Sequence, residues 1–200
     1  MASSHAIAVK ELLEVEVQRF QDTFASYFPE EAFDLERVKY KKCFGDRSRY
    51  RQHIVVLYIP MDVKTNEMRG KVRDKRFAKF RAEKAWCICI LEISSMTCKE
   101  SILHDGYKAC WYNKNQWSVP DMWDSNIQDV CTAGIHYFNH WLAAYYYGHI
   151  YCMSGVDVCF SESGSGAILE VRDKSVWYYS HGFIAYLMNT HFGITDICVI

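Results

Sequence analysis

The sequence predicts an α+β fold: a mainly antiparallel sheet, with an N-terminal helix and a second helix at about residues 139–148 packed on it. Apolar residues near the N terminus recur at helical spacing, whereas the middle of the chain holds short runs rich in β-branched and aromatic residues. The stretch CTAGIHYFNHWLAAYYYG at residues 131–148 indicates a strand, a short turn and then a helix. We take this strand–helix unit as the centre of the fold.

The first predicted element is a helix over residues 5–28. Pro29 is expected to end it, because proline disfavours helical backbone at the residue before it. One face of the helix carries the apolar residues Val9, Leu12, Leu13, Val17, Phe20, Phe24 and Phe28. Such a stripe can pack on the chain's own core or on a partner, and packing on the chain's own core is the preferred interpretation.

Three strands are predicted at residues 37–43, 53–60 and 85–94. The run HIVVLYIP at 53–60 is short, β-branched and bounded by polar residues, which indicates burial on both faces. In the third strand Cys87 and Cys89 are two residues apart, so we expect them to face the same side as small apolar residues.

Two irregular segments separate these strands from the central unit. Residues 61–84 are highly charged without a sustained apolar period, and the simplest prediction is an exposed loop with a short helical turn at Phe77 and Phe80. Residues 101–125 are aromatic, polar and interrupted by breakers, which predicts a loop. Its tryptophans, Trp111, Trp117 and Trp123, are expected to pin it to the body of the domain.

Within the central unit, the strand enters through Gly134 and continues to Phe138. Asn139 is expected to cap the helix, because its side-chain oxygen can accept from the unpaired N–H groups of the first turn. Gly148 is expected to end the helix.

The C-terminal quarter is predicted to be rich in strands. The SESGSG turn at 161–166 follows a strand at 150–160, and a hairpin joins 167–171 to 176–179 before a final strand at 194–200. No linker separates two independent domains. The chain therefore divides into an N-terminal helical extension at 1–36, a core domain at 37–148 and a C-terminal β-rich extension of the same domain at 149–200.

Composition narrows the class of protein. Half of the residues are hydrophobic and 16% are aromatic, which is too rich for a disordered chain. The nine cysteines have no regular spacing and no secretory signal precedes them, so we expect reduced thiols and no secretion. No uninterrupted apolar run is long enough to cross a bilayer.

Charge is strongly segregated along the chain. Residues 37–84 contain sixteen Lys and Arg against five Asp and Glu, whereas the rest of the chain contains seven against nineteen. Such a split can produce a surface that attracts an acidic protein or nucleic acid, or simply a solvated loop. The candidate binding residues are Lys64, Arg69, Lys71, Arg73, Lys75, Arg76, Lys79, Arg81 and Lys84.

Four motifs in order, YKKC at 40–43, IVVLYIPMDVKT at 54–65, KFRAEKAWCICILEI at 79–93 and CTAGIHYF at 131–138, resemble an uncharacterised domain. That domain occurs in proteins of nucleocytoplasmic large DNA viruses (giant viruses), often next to MORN-like repeats of aromatic residues and glycine. The chain departs from the family pattern in its extra basic charge and in Tyr137, where the family usually has Phe.

The resemblance brings no established activity. It implies a non-enzymatic binding or assembly protein in the host cytoplasm or the virion, such as a minor capsid-associated component. Such a protein would act through the basic segment, residues 64–84, and the aromatic loop, residues 101–125. The expected partner is an acidic protein surface or another virion protein, with nucleic acid as the alternative. We expect no cofactor and no metal.

An alternative function follows from the central unit, whose glycine–aromatic strand and following helix are similar to those of ADP-ribosyltransferases that use NAD. By that likeness His136 or Tyr137 would contact nicotinamide, and Glu162 or Glu170 would be the catalytic carboxylate. The upstream His-Gly-Thr/Ser element that grips the ribose in those enzymes is missing.

Other chemistry has weaker support. Cys131 with His136 could form a nucleophile and base, but buried inert cysteines are the simpler interpretation. His136 with His140, or Cys87 with Cys89, offers two metal ligands without the further pair that a structural zinc site needs.

Overall fold

The computed structural model describes residues 4–45, 51–70, 72, 75–76, 78–104, 109–129 and 132–147, and the backbone of 157–163 and 166–172. Gly148, Phe77 and the strands predicted at 176–179 and 194–200 lie outside the described residues. None of the helices in the described part is both long enough and apolar enough to cross a membrane.

The described chain forms an N-terminal helix followed by a curled, mainly antiparallel sheet with a second short helix, which confirms the α+β prediction. The helices are α1 (Ser4–Tyr27) and α2 (Trp141–Tyr146), and a single 3₁₀ turn spans Leu35–Arg37. The strands are β1 (Val38–Phe44), β2 (Gln52–Tyr58), β3 (Lys79–Ala82), β4 (Ala85–Glu92), β5 (Thr97–Lys99), β6 (Ser101–His104), β7 (Cys110–Asn113), β8 (Gln116–Ser118), β9 (Ile135–Phe138), β10 (Asp157–Ser163) and β11 (Gly166–Arg172).

The main sheet has the strand order β3-β9-β1-β2-β4-β5, and β8 also pairs with β4. Its centre is the β1–β2 pair, which runs in register from Val38 opposite Tyr58 to Phe44 opposite Gln52. The β6–β7 hairpin forms a separate pair, and a bridge between Gly45 and His104 connects its first strand to the end of β1. This bridge brings the hairpin over the inner face of the sheet.

Each face of the sheet carries its own core. The inner core, on the face covered by the β6–β7 hairpin, includes Val55, Leu57, Phe80, Ile90, Ile102 and Tyr137. The helix-side core lies under α1 and includes Leu13, Phe20, Phe24, Ile54, Val56 and Tyr58. Because β2 contributes alternate residues to both cores, its burial on two faces is confirmed.

The apolar stripe of α1 packs on the chain's own sheet, as predicted. Its buried positions include Val9, Leu13, Val17, Phe20 and Phe24. The rings of Phe20 and Phe24 pack on Tyr58 of β2, with centroids 5.7 Å and 5.0 Å away.

The prediction that Cys87 and Cys89 share a side of the sheet is wrong. The partner of Leu57 is Cys87 and the partner of Val56 is Cys89, so the register shifts by one residue at Ile88. This β-bulge reverses the alternation of side chains. Cys87 therefore belongs to the inner core and Cys89 to the helix-side core.

The prediction of two long loops is wrong in part, because both segments contain strands, although the described residues before Lys79 in the charged segment form no helix or strand. The charged segment contains β3, so Phe80 lies in a strand and not in a helical turn. Residues 101–125 contain β6, β7 and β8. These strands are only three or four residues long, and β3 alternates cations with apolar residues, so their patterns are too short and too polar to be recognised.

The cap of α2 differs from the prediction. His140 occupies the N-cap position, where its Nδ1 accepts a hydrogen bond of 3.2 Å from the Leu142 N–H. Asn139 instead donates from its side chain to the carbonyl of Lys75, at 3.0 Å. The N-cap is therefore one residue later than predicted, and the Asn139 side chain instead forms a hydrogen bond to the charged segment.

The C-terminal hairpin pairs β10 with β11 from Asp157 opposite Arg172 to Ser163 opposite Gly166. The strand predicted at 150–160 is thus observed from Asp157 and continues further, and the predicted turn at 161–166 is shorter than expected. The predicted strand at 167–171 is confirmed.

Candidate functional site

The structure divides the predicted binding residues into an exposed group and a buried group. Lys64, Lys75 and Arg76 are exposed and Lys84 is half-buried. Arg69, Lys79 and Arg81 are buried. Lys71 and Arg73 lie outside the described residues. The basic segment is therefore partly a surface and partly an internal scaffold.

Arg81, on β3, is the most deeply buried of these cations, with 0% of its surface exposed. Its Nε donates to the carbonyl of Asp129 at 3.0 Å, and its NH2 donates to that of Asn126 at 2.7 Å. Its NH1 donates to the carbonyls of Ala133 at 2.6 Å and Asp124 at 3.1 Å. One planar guanidinium thus organises the loop that leads into β9.

The same loop is packed closely around Gly134. The guanidinium of Arg81 lies 5.1 Å from the ring centroid of Trp123. Gly134 has a φ of +136°, and a Cβ placed on it would lie 3.0 Å from the Trp123 ring. Glycine is required here both by the backbone conformation and by the indole beside it.

Arg69 and Asn66 hold the charged segment against β3. Arg69 donates to the carbonyl of Lys79 at 2.6 Å, and its guanidinium lies 4.7 Å from the Phe80 ring centroid. Asn66 accepts from the Arg81 backbone N–H at 2.7 Å. Because these groups satisfy backbone polar atoms, the buried cations have a structural role.

Half-buried Lys84 lies against the aromatic loop. The ammonium of Lys84 is 4.5 Å from the ring centroid of Trp117, a residue of β8 that is 38% exposed. The backbone of Lys64 lies beside the residue that precedes Lys84, because the Lys64 carbonyl accepts from the Glu83 N–H at 3.0 Å. We define the basic–aromatic surface as Lys64, Lys84 and Trp117.

The charges of this surface are only weakly neutralised. Lys64 is 3.9 Å from Glu83, and its side chain is 72% exposed. Lys84 is 4.0 Å from Asp62. Exposed pairs at this separation contribute little to stability, so both cations can attract a partner. Val119, which follows β8, is 63% exposed and adds apolar area to this part of the molecule.

The residues of the alternative enzymatic prediction are placed as follows. Tyr137 is fully buried, and its hydroxyl donates to Glu67 Oε1 at 2.8 Å. His136 is partly buried on β9. Glu162 lies on β10 and Glu170 on β11, of which only the backbone is described. These contacts give no support to nicotinamide stacking on Tyr137, and the enzymatic alternative stays a prediction.

The metal and nucleophile candidates can be followed in the same way. His136 lies on β9 and His140 caps α2, and Cys131 is outside the described residues. Over the ranges that the structure describes, no three His, Cys, Asp or Glu side chains are grouped so as to hold a metal ion.

Sequence reasoning missed the buried lysines of β1. Lys39 pairs with Glu67 at 3.1 Å, Lys41 donates to the carbonyl of His136 at 3.1 Å, and Lys42 donates to that of Tyr145 at 2.9 Å. The signal was the alternation in VKYKKCF, which places Lys39 and Lys41 on the same face of a strand.

Comparison with known proteins finds no curated protein and no solved structure that matches this chain. One family model matches residues 24–144, from the end of α1 to α2, and so includes the main sheet, the charged segment and the aromatic loop. The matched region is more than half of the chain. The chain therefore belongs to a family of unknown function, DUF5758.

Proposed function

We propose that this chain is a non-enzymatic binding or assembly protein of a large DNA virus, which docks on an acidic protein surface through the basic–aromatic surface. The viral origin is supported by the resemblance of the four ordered motifs to domains that occur beside MORN-like repeats. A minor virion component or a factor in the host cytoplasm is consistent with that origin. The proposed partner is another virion protein or a host protein with an acidic face.

The observation that carries the proposal is the contact between Lys84 and Trp117. It joins the basic segment to the aromatic loop, two parts of the chain that the sequence offered as separate candidates. Trp117 also packs edge-on against Trp86, with 5.6 Å between the ring centroids, and this contact fixes the orientation of its indole. A rigid indole beside a cation is typical of residues that contribute most to protein binding.

The burial of three cations favours a protein partner over nucleic acid. Arg69, Lys79 and Arg81 are directed into the fold, and so are not displayed as a continuous track for phosphates. Nucleic-acid binding depends on several simultaneous phosphate contacts. A few exposed cations beside an aromatic ring suit a small acidic patch better.

The proposal is tested by titrating the full chain with a polyglutamate peptide and following the fluorescence of its tryptophans. We expect binding that weakens as salt rises from low to physiological concentration, because exposed charges are screened over about 10 Å. The double variant K64Q/K84Q should bind at least several-fold more weakly, whereas the control K10Q, which removes one exposed charge from α1, should bind like the wild type.

Equal binding by K64Q/K84Q and the wild type, or binding that is insensitive to salt, would contradict the proposed surface. Tighter binding to a single-stranded oligonucleotide than to polyglutamate at the same salt concentration would instead favour nucleic acid. Cross-linking in infected-cell extract would then identify which virion or host protein contacts Lys64 and Lys84.

A further inference from the structure

Four strands of the main sheet begin or end side by side. Val38, the first residue of β1, lies opposite Tyr58 at the end of β2. Tyr58 in turn lies opposite Trp86 near the start of β4, and Ala85 at the start of β4 lies opposite Ser118 at the end of β8. Because neighbouring strands are about 4.8 Å apart, this end of the sheet is about 15 Å wide from β1 to β8.

This end of the sheet gathers exposed apolar side chains. Leu35, in the 3₁₀ turn that leads into β1, is 64% exposed, and Met61, which follows β2, is 74% exposed. Val119 comes directly after β8, and exposed Tyr27 lies 5.1 Å from the ring centroid of Trp86. Exposed apolar side chains gathered in one place are typical of interaction surfaces, whereas single ones are ordinary. We define the sheet end as Tyr27, Leu35, Met61, Trp117 and Val119.

The segment between α1 and β1 adds negative charge on the β1 side of the sheet end. Glu30 and Glu36 are exposed, and neither forms an ion pair within the part of the chain that the structure describes. Asp34, by contrast, lies 3.6 Å from Nε of Arg37. We define the acidic turn as Glu30, Leu35 and Glu36. Its two carboxylates are therefore available to cations of a partner.

The acidic turn is fixed to the sheet by its neighbours. Phe33 stacks on Tyr58 with 6.0 Å between the ring centroids, and the Tyr58 hydroxyl donates to Glu31 Oε1 at 3.0 Å. Asp34 caps the 3₁₀ turn, since its side chain accepts from the Glu36 N–H at 2.9 Å. A surface that is already ordered in the free protein loses little conformational entropy on binding.

The two sides of the sheet end carry opposite charge. The acidic turn lies on the β1 side, whereas the contact between Lys84 and Trp117 lies on the β4–β8 side, and β2, which leads to Met61, runs between them. A uniformly acidic partner that covered the whole sheet end would be repelled by Glu30 and Glu36. The matching partner presents cations to the acidic turn and carboxylates to Lys84.

We propose that this partner is a second copy of the chain, joined in a symmetric dimer. A two-fold rotation places the acidic turn of each copy on the basic–aromatic surface of the other and brings the exposed apolar side chains together. Because both contacts are the same, the assembly closes at two copies. The inference rests on the proposed function, since it assigns the acidic surface that Lys64 and Lys84 contact to another copy of this chain.

The test is a charge swap followed by sedimentation velocity of the full chain. The wild type should be a dimer whose dissociation constant rises with salt, because exposed charges are screened. The variant K64E/K84E should be monomeric where the wild type is dimeric, because its reversed surface then meets the acidic turn. The variant E30K/E36K should be monomeric because cations then face cations. An equal mixture of the two variants should form a dimer with one copy of each, since opposite charges again meet in both contacts.

The matched control is E11K/E14K, which reverses two exposed carboxylates of α1. Glu14 lies about 20 Å before Tyr27 along the helix axis, so this variant should dimerise like the wild type. A wild type that is monomeric at every concentration measured, assemblies larger than a dimer, or a mixture that stays monomeric would overturn the proposal.

A competition experiment needs no variant to fold. Polyglutamate should dissociate the wild-type dimer, because both use the basic–aromatic surface, and a dimer that polyglutamate leaves intact would overturn the proposal. The variant E30Q/E36Q should dimerise several-fold more weakly but still bind polyglutamate at least as tightly as the wild type. A monomeric wild type whose polyglutamate binding is weakened by K64Q/K84Q would overturn the dimer and leave the proposed function intact, whereas polyglutamate binding that K64Q/K84Q leaves unchanged would overturn both.

Discussion

Arg81→Met provides a direct test of the internal role of the basic segment. The substitution keeps an unbranched side chain of similar length but removes the guanidinium that donates to the carbonyls of Asp124, Asn126, Asp129 and Ala133. Asn126 and Asp129 are exposed, so their carbonyls can turn to water, whereas Ala133 is buried. Losing the Arg81 donor therefore costs more free energy at the Ala133 carbonyl than at the exposed carbonyls.

The expected loss follows from these contacts. The buried carbonyl of Ala133 would keep only its 3.3 Å hydrogen bond from the Asp124 N–H, and losing the charged donor at 2.6 Å costs about 1–3 kcal/mol. The three other carbonyls add smaller amounts. We expect Arg81→Met to lower the free energy of unfolding by about 3–5 kcal/mol in total. Arg81→Lys should recover part of this loss, because an ammonium can reach one or two carbonyls but not all four.

The assay is urea unfolding followed by tryptophan fluorescence, which also reports on Trp123 beside the guanidinium. Arg76→Met is the matched control, because Arg76 is exposed in the same segment, and it should change stability by less than about 0.5 kcal/mol. A loss below about 1 kcal/mol for Arg81→Met, or wild-type stability for Arg81→Lys, would refute the reasoning.

Three further predictions concern stability in the same assay. Tyr137→Phe removes the hydrogen bond to Glu67 and should cost about 0.5–1.5 kcal/mol; unchanged stability would show that this bond contributes nothing. Gly134→Ala should cost about 1–3 kcal/mol, because its φ is strained for alanine and Trp123 fills the space; a gain would contradict the close contact. Burial lowers the pKa of His104 to about 3, and the charge of Lys41 lowers it further. As the pH falls, His104 is therefore protonated at a higher pH in the unfolded chain than in the folded chain. Stability should be fully present above about pH 6.5 and fall by up to about 1.4 kcal/mol per pH unit below it; His104→Gln should flatten this slope, and an unchanged slope would contradict the burial.

The elements that could be predicted from the sequence are those whose pattern is local and long. Helix α1 shows an apolar stripe that runs from Val9 to Phe24, and β2 and β4 are runs of β-branched and apolar residues. The strand–helix unit around Gly134 was found in the same way. In each case the spacing of apolar residues along the sequence shows which residues are buried.

The candidate site was only partly predictable. Lys64 and Lys84 were identified as candidate binding residues, and Trp117 was expected to pin the aromatic loop to the body of the domain. The contact between Lys84 and Trp117 depends on the pairing of β8 with β4. The roles of Arg69 and Arg81 were not foreseen, because a cation can be buried only where carbonyls converge on it. Those carbonyls come from a loop up to 52 residues away in the sequence.

The sequence by itself determined the α+β class, the N-terminal helix, the central strands and the segregation of positive charge, because these depend on composition and short-range periodicity. Only the tertiary structure decided which cations are internal and which are displayed, and it alone introduced the bulge that turns Cys87 and Cys89 to opposite faces. The reason is physical: the free energy of burying a charge or shifting a register depends on partners brought together from distant parts of the chain.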